Sequence, residues 1–333
     1  ALVNGNPELY LMDWNADSTA GILNHWLNTL GLDQQNLIYW SMDNEPEIWN
    51  GTHDDVMPVQ LSAQEFMQKY FETAKKARAL FPGIKLLGPV PCNEWQWYNW
   101  KNTTISYNGT SYCWLEFFIK RIAEEQQQSG IRLLDVLDLH FYPESSDFSN
   151  ILQVHRVFFD ENYVYPGANG VKNVNGSWDN SQNKEYIFKR CNDWLTKHLG
   201  ANHGVSLSLS EMDVNTSNAN IVANWYASML LSFAKNGVEV FTPWSWKTGM
   251  WEVLHLFSNY SKAFSVKAVS GNETNLSAFA TANSSNDSIT LILVNRSQTQ
   301  TYRVESQFSG FNLLNGKYRD RKSTRLNSSH RIR

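Results

Sequence analysis

The 333-residue chain lacks several features that would assign it to a familiar class of protein. Its three cysteines, Cys92, Cys113 and Cys191, have no zinc-like spacing, and they leave one disulfide, Cys92–Cys113, as an open alternative. It has no run of about 18 apolar residues, so no transmembrane helix is expected. A net charge of −4 and a pI near 6.1 give no electrostatic reason to bind nucleic acid or an anionic membrane.

Tryptophan, by contrast, is abundant. The chain has 14 Trp, and aromatic residues make up 14% of it. A protein core seldom uses so many indoles, because each buried N–H group needs a hydrogen-bond partner. Flat rings with a polar edge suit the apolar faces of sugars, so the composition favours a carbohydrate-binding surface. The alternative that these rings fill the core of a barrel stays open.

Short apolar runs alternate with longer amphipathic segments along the first 250 residues. The pattern predicts helices over 17–30, 62–81, 112–127, 184–199 and 221–235. It predicts strands over 37–42, 84–89, 134–141, 205–210 and 238–243. Ser62 and Glu65 form the sequence signature of a capping box at the second helix. This alternation is typical of an α/β protein with a parallel sheet.

The pattern changes from about Val253 onward. Runs at 263–270, 276–282, 288–294 and 301–304 resemble strands, and Asn, Ser and Gly residues separate them. No helix is predicted in this part. The spacing therefore predicts an antiparallel β unit.

Polar and aromatic residues follow the carboxyl ends of the predicted strands, where barrel enzymes place their functional side chains. The catalytic candidates among them are Glu45 and Glu211. The substrate-binding candidates are Asn44, Trp49, Asn93, Glu94, Trp95, Trp97, His140, Tyr142, Trp244 and Trp246. For Glu94 a loop-holding role is an equal alternative, and His140 could lie beneath the site instead of touching substrate. No residue is assigned to a metal.

Two carboxyls at strand ends suit the hydrolysis of a glycosidic bond. Retaining hydrolysis needs two carboxyl groups about 5–5.5 Å apart, one as acid and one as nucleophile. Glu45 and Glu211 follow strands that are far apart in sequence but can face one another across a barrel mouth. We therefore predict that these two glutamates are the catalytic pair.

Three separate segments, in the right order, resemble glycoside hydrolase family 44. They are Tyr39-Trp-Ser-Met-Asp-Asn-Glu-Pro-Glu-Ile-Trp49, Asn93-Glu-Trp-Gln-Trp97 and Leu134-Asp-Val-Leu-Asp-Leu-His-Phe-Tyr-Pro143. The resemblance implies a (β/α)8 barrel joined to a β-sandwich, with Glu45 as the acid/base and Glu211 as the nucleophile. It implies that 1–252 is the C-terminal part of the barrel, about strands 4–8, and that 253–319 is a partial β-sandwich.

The function implied by this resemblance is that of a retaining endo-β-1,4-glycanase acting on cellulose-type or xyloglucan-type β-glucans. It implies no cofactor, a polysaccharide as the binding partner, secretion, and a monomeric whole protein. Two alternatives remain: a mannanase or xylanase on the same barrel, or an inactive carbohydrate-binding fragment. The second is disfavoured because both glutamates are present.

The last residues carry a different pattern. The run from Asp320 to His330 matches, residue for residue, one translation frame of a common sequencing-library adapter. We therefore expect 320–333 to be a non-native tail and the chain to be a fragment that lacks the first barrel strands. Such a fragment is expected to be inactive by itself, because a partial parallel barrel leaves strand edges unpaired.

Overall fold

The computed structural model describes residues 5–168, 171–172, 178–179 and 184–311. The chain divides into two compact units. Unit 1 consists of Ala1–Tyr142, Phe158–Met212 and Glu239–Thr242, and unit 2 of Pro143–Val157, Asp213–Val238 and Pro243–Arg333. The predicted tail at 320–333 lies outside the described residues. The domain boundaries at 252 and 319 stay predictions.

Helices and strands alternate through most of the described chain. The α-helices are, in chain order, α1 (Ala16–Asn24), α2 (Trp49–Thr52), α3 (Ala63–Leu80), α4 (Glu94–Tyr98), α5 (Trp114–Ser129), α6 (Phe148–Gln153), α7 (Ile187–Leu199), α8 (Ala219–Asn236) and α9 (Met250–Tyr260). The strands are β1 (Tyr39–Ser41), β2 (Lys85–Pro89), β3 (Ile105–Tyr107), β4 (Thr110–Tyr112), β5 (Val136–Phe141), β6 (Val171–Lys172), β7 (Trp178–Asp179), β8 (Ser206–Met212), β9 (Val238–Phe241), β10 (Phe264–Val266), β11 (Leu276–Ala282) and β12 (Ile289–Asn295).

Five of these strands form the central parallel sheet of unit 1, in the order β1-β2-β5-β8-β9. The register pairs Tyr39 with Lys85, Leu87 with Val136, and Val136 with Ser206. Every residue of β5 is buried, as expected for a strand covered on both faces. The sheet is curled like half of a barrel, and this confirms the predicted parallel α/β architecture at that level.

The curl of the sheet brings together side chains from the two strands at its ends. The carboxylate of Glu239 on β9 accepts a hydrogen bond from the Tyr39 hydroxyl on β1 at 2.7 Å. It also accepts from the Ser206 hydroxyl on β8 and forms an ion pair with Lys85 on β2. A flat five-stranded sheet would hold β1 and β9 about 19 Å apart, at roughly 4.8 Å for each step between neighbouring strands. Glu239 therefore bridges the concave face near the amino ends of the strands.

Local sequence explains where the long helices of unit 1 begin and end. At α3, the Ser62 side chain accepts from the Glu65 backbone N–H while the Glu65 carboxylate accepts from the Ser62 N–H, which confirms the predicted capping box. At the end of α5, Gly130 adopts a left-handed conformation with φ 70°. The apolar faces of α3 and α5 pack together and bury Phe71, Tyr70 and Phe118.

Unit 2 contains an antiparallel sheet of β10, β11 and β12 in that order. Helix α8 packs against α6 and α9 and also contacts β11 and β12. The buried guanidinium of Arg296 donates to the Thr274 backbone oxygen at 3.0 Å and to the Ser228 hydroxyl at 3.2 Å, so it links the sheet to α8. The complete β-sandwich stays a prediction.

Several sequence expectations need correction. The strand predicted at 301–304 is wrong: this segment has no regular structure, and no strand in the described part of the chain pairs with it. The helix-free unit expected from Val253 is also wrong at its start, because α9 extends to Tyr260. The hairpin of β3 and β4 was not predicted. No disulfide joins Cys92 to Cys113, so that open alternative is not realised. In the described part of the chain no helix is long and apolar enough to cross a membrane.

Candidate active site

Glu45 lies directly after β1 in a backbone conformation that few residues other than glycine adopt. Its φ is 48° and its ψ 54°, in the left-handed region. The conformation is held on both sides, because Glu45 N donates to the Val90 carbonyl at 3.0 Å and Pro46 begins a short 3₁₀ turn. Strained backbone of this kind concentrates at functional sites, where the surrounding structure fixes it.

The other members of the site come from the neighbouring strands β5 and β8, where His140 pairs with Glu211. Nδ1 of His140 lies 3.0 Å from Oε1 of Glu45 and 3.4 Å from Oε2 of Glu211. The Tyr142 hydroxyl donates to Oε2 of Glu211 at 2.6 Å. Four side chains that the sequence analysis proposed separately are therefore in direct contact.

The distance between the two carboxylates is short. One oxygen of Glu45, one oxygen of Glu211 and a ring nitrogen of His140 all lie within 4.8 Å of one another. Both glutamate side chains are 18% exposed, whereas the His140 side chain is only 1% exposed. The carboxylates can therefore be reached from solvent, and the imidazole lies beneath and between them.

The electrostatic environment gives the carboxyl groups of this region different pKa values. The hydrogen bond from His140 holds the pKa of Glu45 below its usual value, although partial burial acts in the opposite direction. Burial raises the pKa of Glu47 to about 8, against a hydrogen bond from the Cys92 N–H. Burial, together with the charges of Glu45 and Glu47, raises the pKa of the Cys92 thiol to about 12. At neutral pH, Glu45 is therefore ionised, while Glu47 and Cys92 are neutral.

His140 and the two carboxylates are also the one cluster, among the residues that the structure describes, compact enough to surround a metal ion. The imidazole is already engaged on both ring nitrogens, by Glu45 at Nδ1 and by Ser210 at Nε2. We therefore assign it to hydrogen bonding. The expectation that the site uses no metal stays a prediction.

Two of the proposed substrate-binding residues, Asn93 and Trp49, hold the site's backbone through their side chains. The Asn93 amide oxygen accepts from Tyr142 N at 2.9 Å, and its amide nitrogen donates to Tyr142 O at 3.2 Å. The Trp49 indole donates to the Asn44 carbonyl at 2.9 Å and packs edge-on against Phe66. The Asn44 side chain itself is exposed beside Glu45. A contact of Asn44 with sugar therefore stays a prediction.

The residues of α4 differ from one another in their surroundings. Trp97 is fully buried, and its indole donates to the His140 carbonyl at 3.1 Å. A ring with no exposed face cannot stack on a sugar, so the expected sugar platform at Trp97 is corrected to a core position. Glu94 is also buried, next to Glu185, which favours the loop-holding alternative. Trp95 is half-buried, with its indole donating to Asn102, and remains a candidate platform.

Trp244 and Trp246 belong to unit 2. Trp244 is 65% exposed and Trp246 46% exposed, and the Trp246 ring stacks on Trp251 with a centroid distance of 4.4 Å. Exposed indoles are compatible with the sugar-binding role that the sequence suggested for both. That role stays a prediction.

Sequence reasoning missed the hydroxyl of Ser210 and the thiol of Cys92. Ser210 Oγ lies 3.1 Å from Nε2 of His140, and Cys92 hydrogen-bonds to Glu45. A signal for Ser210 was present, because Ser206, Ser208 and Ser210 alternate with apolar residues along a strand that is otherwise buried. Alternating polar residues on such a strand point to a polar barrel interior.

A curled parallel α/β sheet with paired carboxylates at the carboxyl ends of its strands is the arrangement of barrel glycoside hydrolases. The family model of glycoside hydrolase family 44 matches residues 4–145. This match confirms the resemblance that the sequence segments suggested.

Individual proteins agree with the family match. The curated β-mannanase/endoglucanase A of Caldicellulosiruptor saccharolyticus is 24% identical over 314 residues, which cover 85% of this chain and 23% of that protein. Cel44A, a family 44 endoglucanase from Clostridium thermocellum, superposes with a TM-score of 0.71 at 22% identity, covering 86% of this chain and 58% of that one. A family 44 xyloglucanase from Paenibacillus polymyxa, solved with xyloglucan, gives 0.72 at 20% identity, with 85% and 58% covered. At these identities the two solved structures support the fold alone. The chain spans little more than half the length of either.

Proposed function

We propose that this chain forms part of a retaining endo-β-1,4-glycanase that hydrolyses cellulose-type or xyloglucan-type β-glucans. The observation that carries the proposal is the approach of the Glu45 and Glu211 carboxylates to within 4.8 Å. Retaining glycosidases place their carboxyls about 5–5.5 Å apart, whereas inverting ones need about 6.5–9.5 Å to admit a water. The spacing therefore supports double displacement over a single displacement by water.

Each carboxylate has surroundings that suit one role. In the first step the Glu211 carboxylate attacks the anomeric carbon while Glu45 protonates the departing glycosidic oxygen. In the second step ionised Glu45 removes a proton from water, and this water displaces Glu211 from the sugar. The Tyr142 hydroxyl, which donates to Glu211, orients the nucleophile.

The lowered pKa of Glu45 has a consequence for the first step. The free enzyme must carry a proton on Glu45 before the leaving oxygen can be protonated, and the hydrogen bond from His140 favours the ionised form. We therefore expect kcat/KM to decline as the pH rises through the pKa of Glu45, which would give an optimum on the acidic side of neutrality.

The proposed class of polysaccharide rests on the names of similar proteins. The similar proteins carry the names endoglucanase, xyloglucanase and β-mannanase/endoglucanase. A β-glucan is the substrate that most of these names share, and a mannanase or xylanase is the second candidate. We further propose that the whole protein is secreted, since its substrate is an extracellular polymer. We also propose that it is monomeric.

Paired substitutions in the whole protein test the roles. Glu211→Gln removes the nucleophile, so turnover should be lost on every substrate. Glu45→Gln should slow the hydrolysis of poor leaving groups far more than that of activated aryl glycosides, because only the poor ones need protonation. Azide should rescue Glu211→Gly and yield the glycosyl azide with inverted configuration. Equal sensitivity of both glutamine variants to the leaving-group pKa would contradict these assignments.

A substrate panel separates the glucanase from its alternatives. The proposal expects kcat/KM to be highest on β-glucan or xyloglucan and lower on mannan and xylan. A higher value on mannan or xylan would assign the site to the second candidate. Tight binding to glucan without turnover by the whole protein would support a binding module instead.

A further inference from the structure

The strand that carries Glu211 contains one residue more than its partner strand. Leu139 pairs with Leu209, but the next residue, His140, pairs with Glu211, so Ser210 is left between the two pairs. This is a β-bulge, in which the extra residue leaves the ladder and the strand bends locally. Two consecutive residues, Ser210 and Glu211, consequently reach His140, whereas a regular strand would send them to opposite faces.

The backbone N–H of the bulged residue needs an acceptor, because it no longer faces a carbonyl of the ladder. Oδ1 of Asp138, two residues before His140 on β5, accepts from Ser210 N at 3.0 Å. On the other side of β8, the Ser210 carbonyl accepts from the hydroxyl of Thr242, the residue that follows β9. Asp138 is fully buried, at 0% exposure. A buried carboxyl is costly to maintain, so its retention beneath the site calls for a function.

We propose that Asp138 is a positioning residue that holds the Ser210 bulge and thereby places Glu211 at the reacting sugar and His140 beneath the two catalytic carboxylates. The Asp138 carboxyl fixes the Ser210 backbone, and the next residue along the chain is Glu211. The Ser210 hydroxyl lies 3.1 Å from Nε2 of His140, whose Nδ1 in turn contacts Glu45. One carboxyl that touches no substrate therefore controls the placement of both catalytic carboxylates. The inference rests on the proposed function for its kinetic consequence, but the bulge itself can be observed without activity.

The role requires an acceptor oxygen at position 138 more than it requires a charge. Burial raises the pKa of Asp138, and a carboxyl oxygen accepts the Ser210 N–H in either protonation state. Asn has an amide oxygen in nearly the same place, so Asp138→Asn should preserve the bulge, whereas Asp138→Ala should lose it. Ser210→Ala is the matched control, because it removes the hydroxyl and keeps the backbone N–H that bonds to Asp138.

Amide hydrogen exchange of the whole protein, followed by NMR, tests the bulge directly. In Asp138→Ala, the exchange of the backbone N–H of residue 210 should accelerate by about 100-fold or more. In Asp138→Asn and in Ser210→Ala, the exchange of the same N–H should change little. The amide of Leu209, in the same strand, reports whether the sheet is intact in each variant. Unchanged protection at residue 210 in Asp138→Ala, with the sheet folded, would overturn the proposal.

Kinetics test whether the bulge matters for catalysis. A catalytic group displaced by about 1 Å can cost 100-fold in rate, so kcat of Asp138→Ala should fall about 100-fold while KM changes less than about threefold. The loss should appear on activated leaving groups, because the nucleophile is misplaced, and should be larger on poor ones, because the acid Glu45 is held through His140. Asp138→Asn should restore kcat to within about tenfold of the native value. A raised KM with unchanged kcat would refute the positioning role. If amide exchange changes as expected in Asp138→Ala but Glu211→Gln still turns over substrate, the proposed function is refuted and the bulge contact stays supported.

Discussion

Glu47 shows how burial alone can set the charge of one side chain. It lies two residues after Glu45, is 5% exposed, and accepts the backbone N–H of Cys92 through one oxygen. Together with the bond from Glu45 N to the Val90 carbonyl, this contact ties the segment after β1 to the segment after β2. A neutral Glu47 holds the Glu45 backbone without adding a second negative charge next to it.

The pKa of Glu47 makes stability depend on pH in a defined direction. It is near 4.5 in the unfolded chain and about 8 in the folded protein, so between these values the folded form binds a proton that the unfolded form releases. The free energy of unfolding therefore falls by a few kcal/mol as the pH rises from about 4.5 to 8, and it is least affected below 4.5. In the whole protein, Glu47→Gln should flatten this dependence, as measured by urea unfolding from pH 4.5 to 8.5. Glu72→Gln, an exposed change on α3, should leave it unaltered, and an equal slope in both variants would contradict the prediction.

Single residues were predictable from sequence where their type and their position at a strand end both pointed to chemistry. Glu45, His140, Tyr142 and Glu211 satisfied both conditions, and the structure brings them together. Trp97 satisfied them as well but is buried, because burial depends on packing that residue type does not reveal. Asp138 resembled part of an apolar strand, and its contact with Ser210 arises from a bulge that no local pattern encodes.

At the scale of elements, α4 is a short helix whose two tryptophans have different tasks. Trp97 is enclosed against Phe141, with ring centroids 5.2 Å apart, and its indole N–H is satisfied by the His140 carbonyl. Trp95 is half-buried on the same helix. The helix therefore anchors strand β5 through one ring and leaves part of the other ring accessible.

Substitution by alanine should separate these tasks. Trp97→Ala should reduce the free energy of unfolding by about 3–5 kcal/mol, because it leaves a large cavity and an unsatisfied carbonyl. Trp95→Ala should cost less stability and instead raise KM for soluble glucan, if its ring is a sugar platform. Chemical denaturation and steady-state kinetics on the two variants provide the comparison. A smaller stability loss for Trp97→Ala than for Trp95→Ala would show that the assignment is reversed.

The long elements were predictable because their signals are local. Capping residues and apolar periodicity located α3 and α5, and short buried runs located β5 and β8. The hairpin of β3 and β4 and the short α4 gave no such signal, since segments of three to five residues show no measurable period. The expected strand at 301–304 failed for the opposite reason: strand-forming residues need a neighbouring strand to pair with.

At the scale of the whole molecule, the strands at the two ends of the sheet set the behaviour of the isolated polypeptide. β1 and β9 each have one neighbour in the described sheet. Large apolar side chains before and around β1 are exposed, among them Tyr10, Trp14, Leu30 and Ile38, each at 50% or more. Open parallel edges and exposed apolar surface both promote association with other chains.

We therefore expect the polypeptide 1–319, expressed alone, to be insoluble or to lack cooperative packing, and to show no glucanase activity. The soluble fraction, the thermal unfolding transition and the release of sugar from cellulose are the measurements. A soluble 1–319 chain with a sharp transition and activity on cellulose would contradict this expectation. It would mean that the exposed surface is tolerated or is covered by a second copy.

The parallel α/β architecture could be predicted at this scale, because strands of about six residues alternating with helices of about fifteen leave few alternatives. The division into two discontinuous units could not. It depends on α6 and α8 packing together with the sheet of β10, β11 and β12, and contacts between segments so distant in sequence leave no periodic trace.

The bridge formed by Glu239 bears on the order in which the chain folds. Its bond to Tyr39 joins residues 200 positions apart, whereas each neighbouring pair of strands in the sheet is separated by far fewer. Closing a loop of that length costs roughly 1 kcal/mol more in lost chain entropy than closing one of about 50 residues, which is the order of the separation between neighbouring strands. The strands should therefore associate sequentially, and the curl should be locked last. Glu239→Gln, which weakens a contact absent from the transition state, should then speed unfolding and leave the refolding rate nearly unchanged.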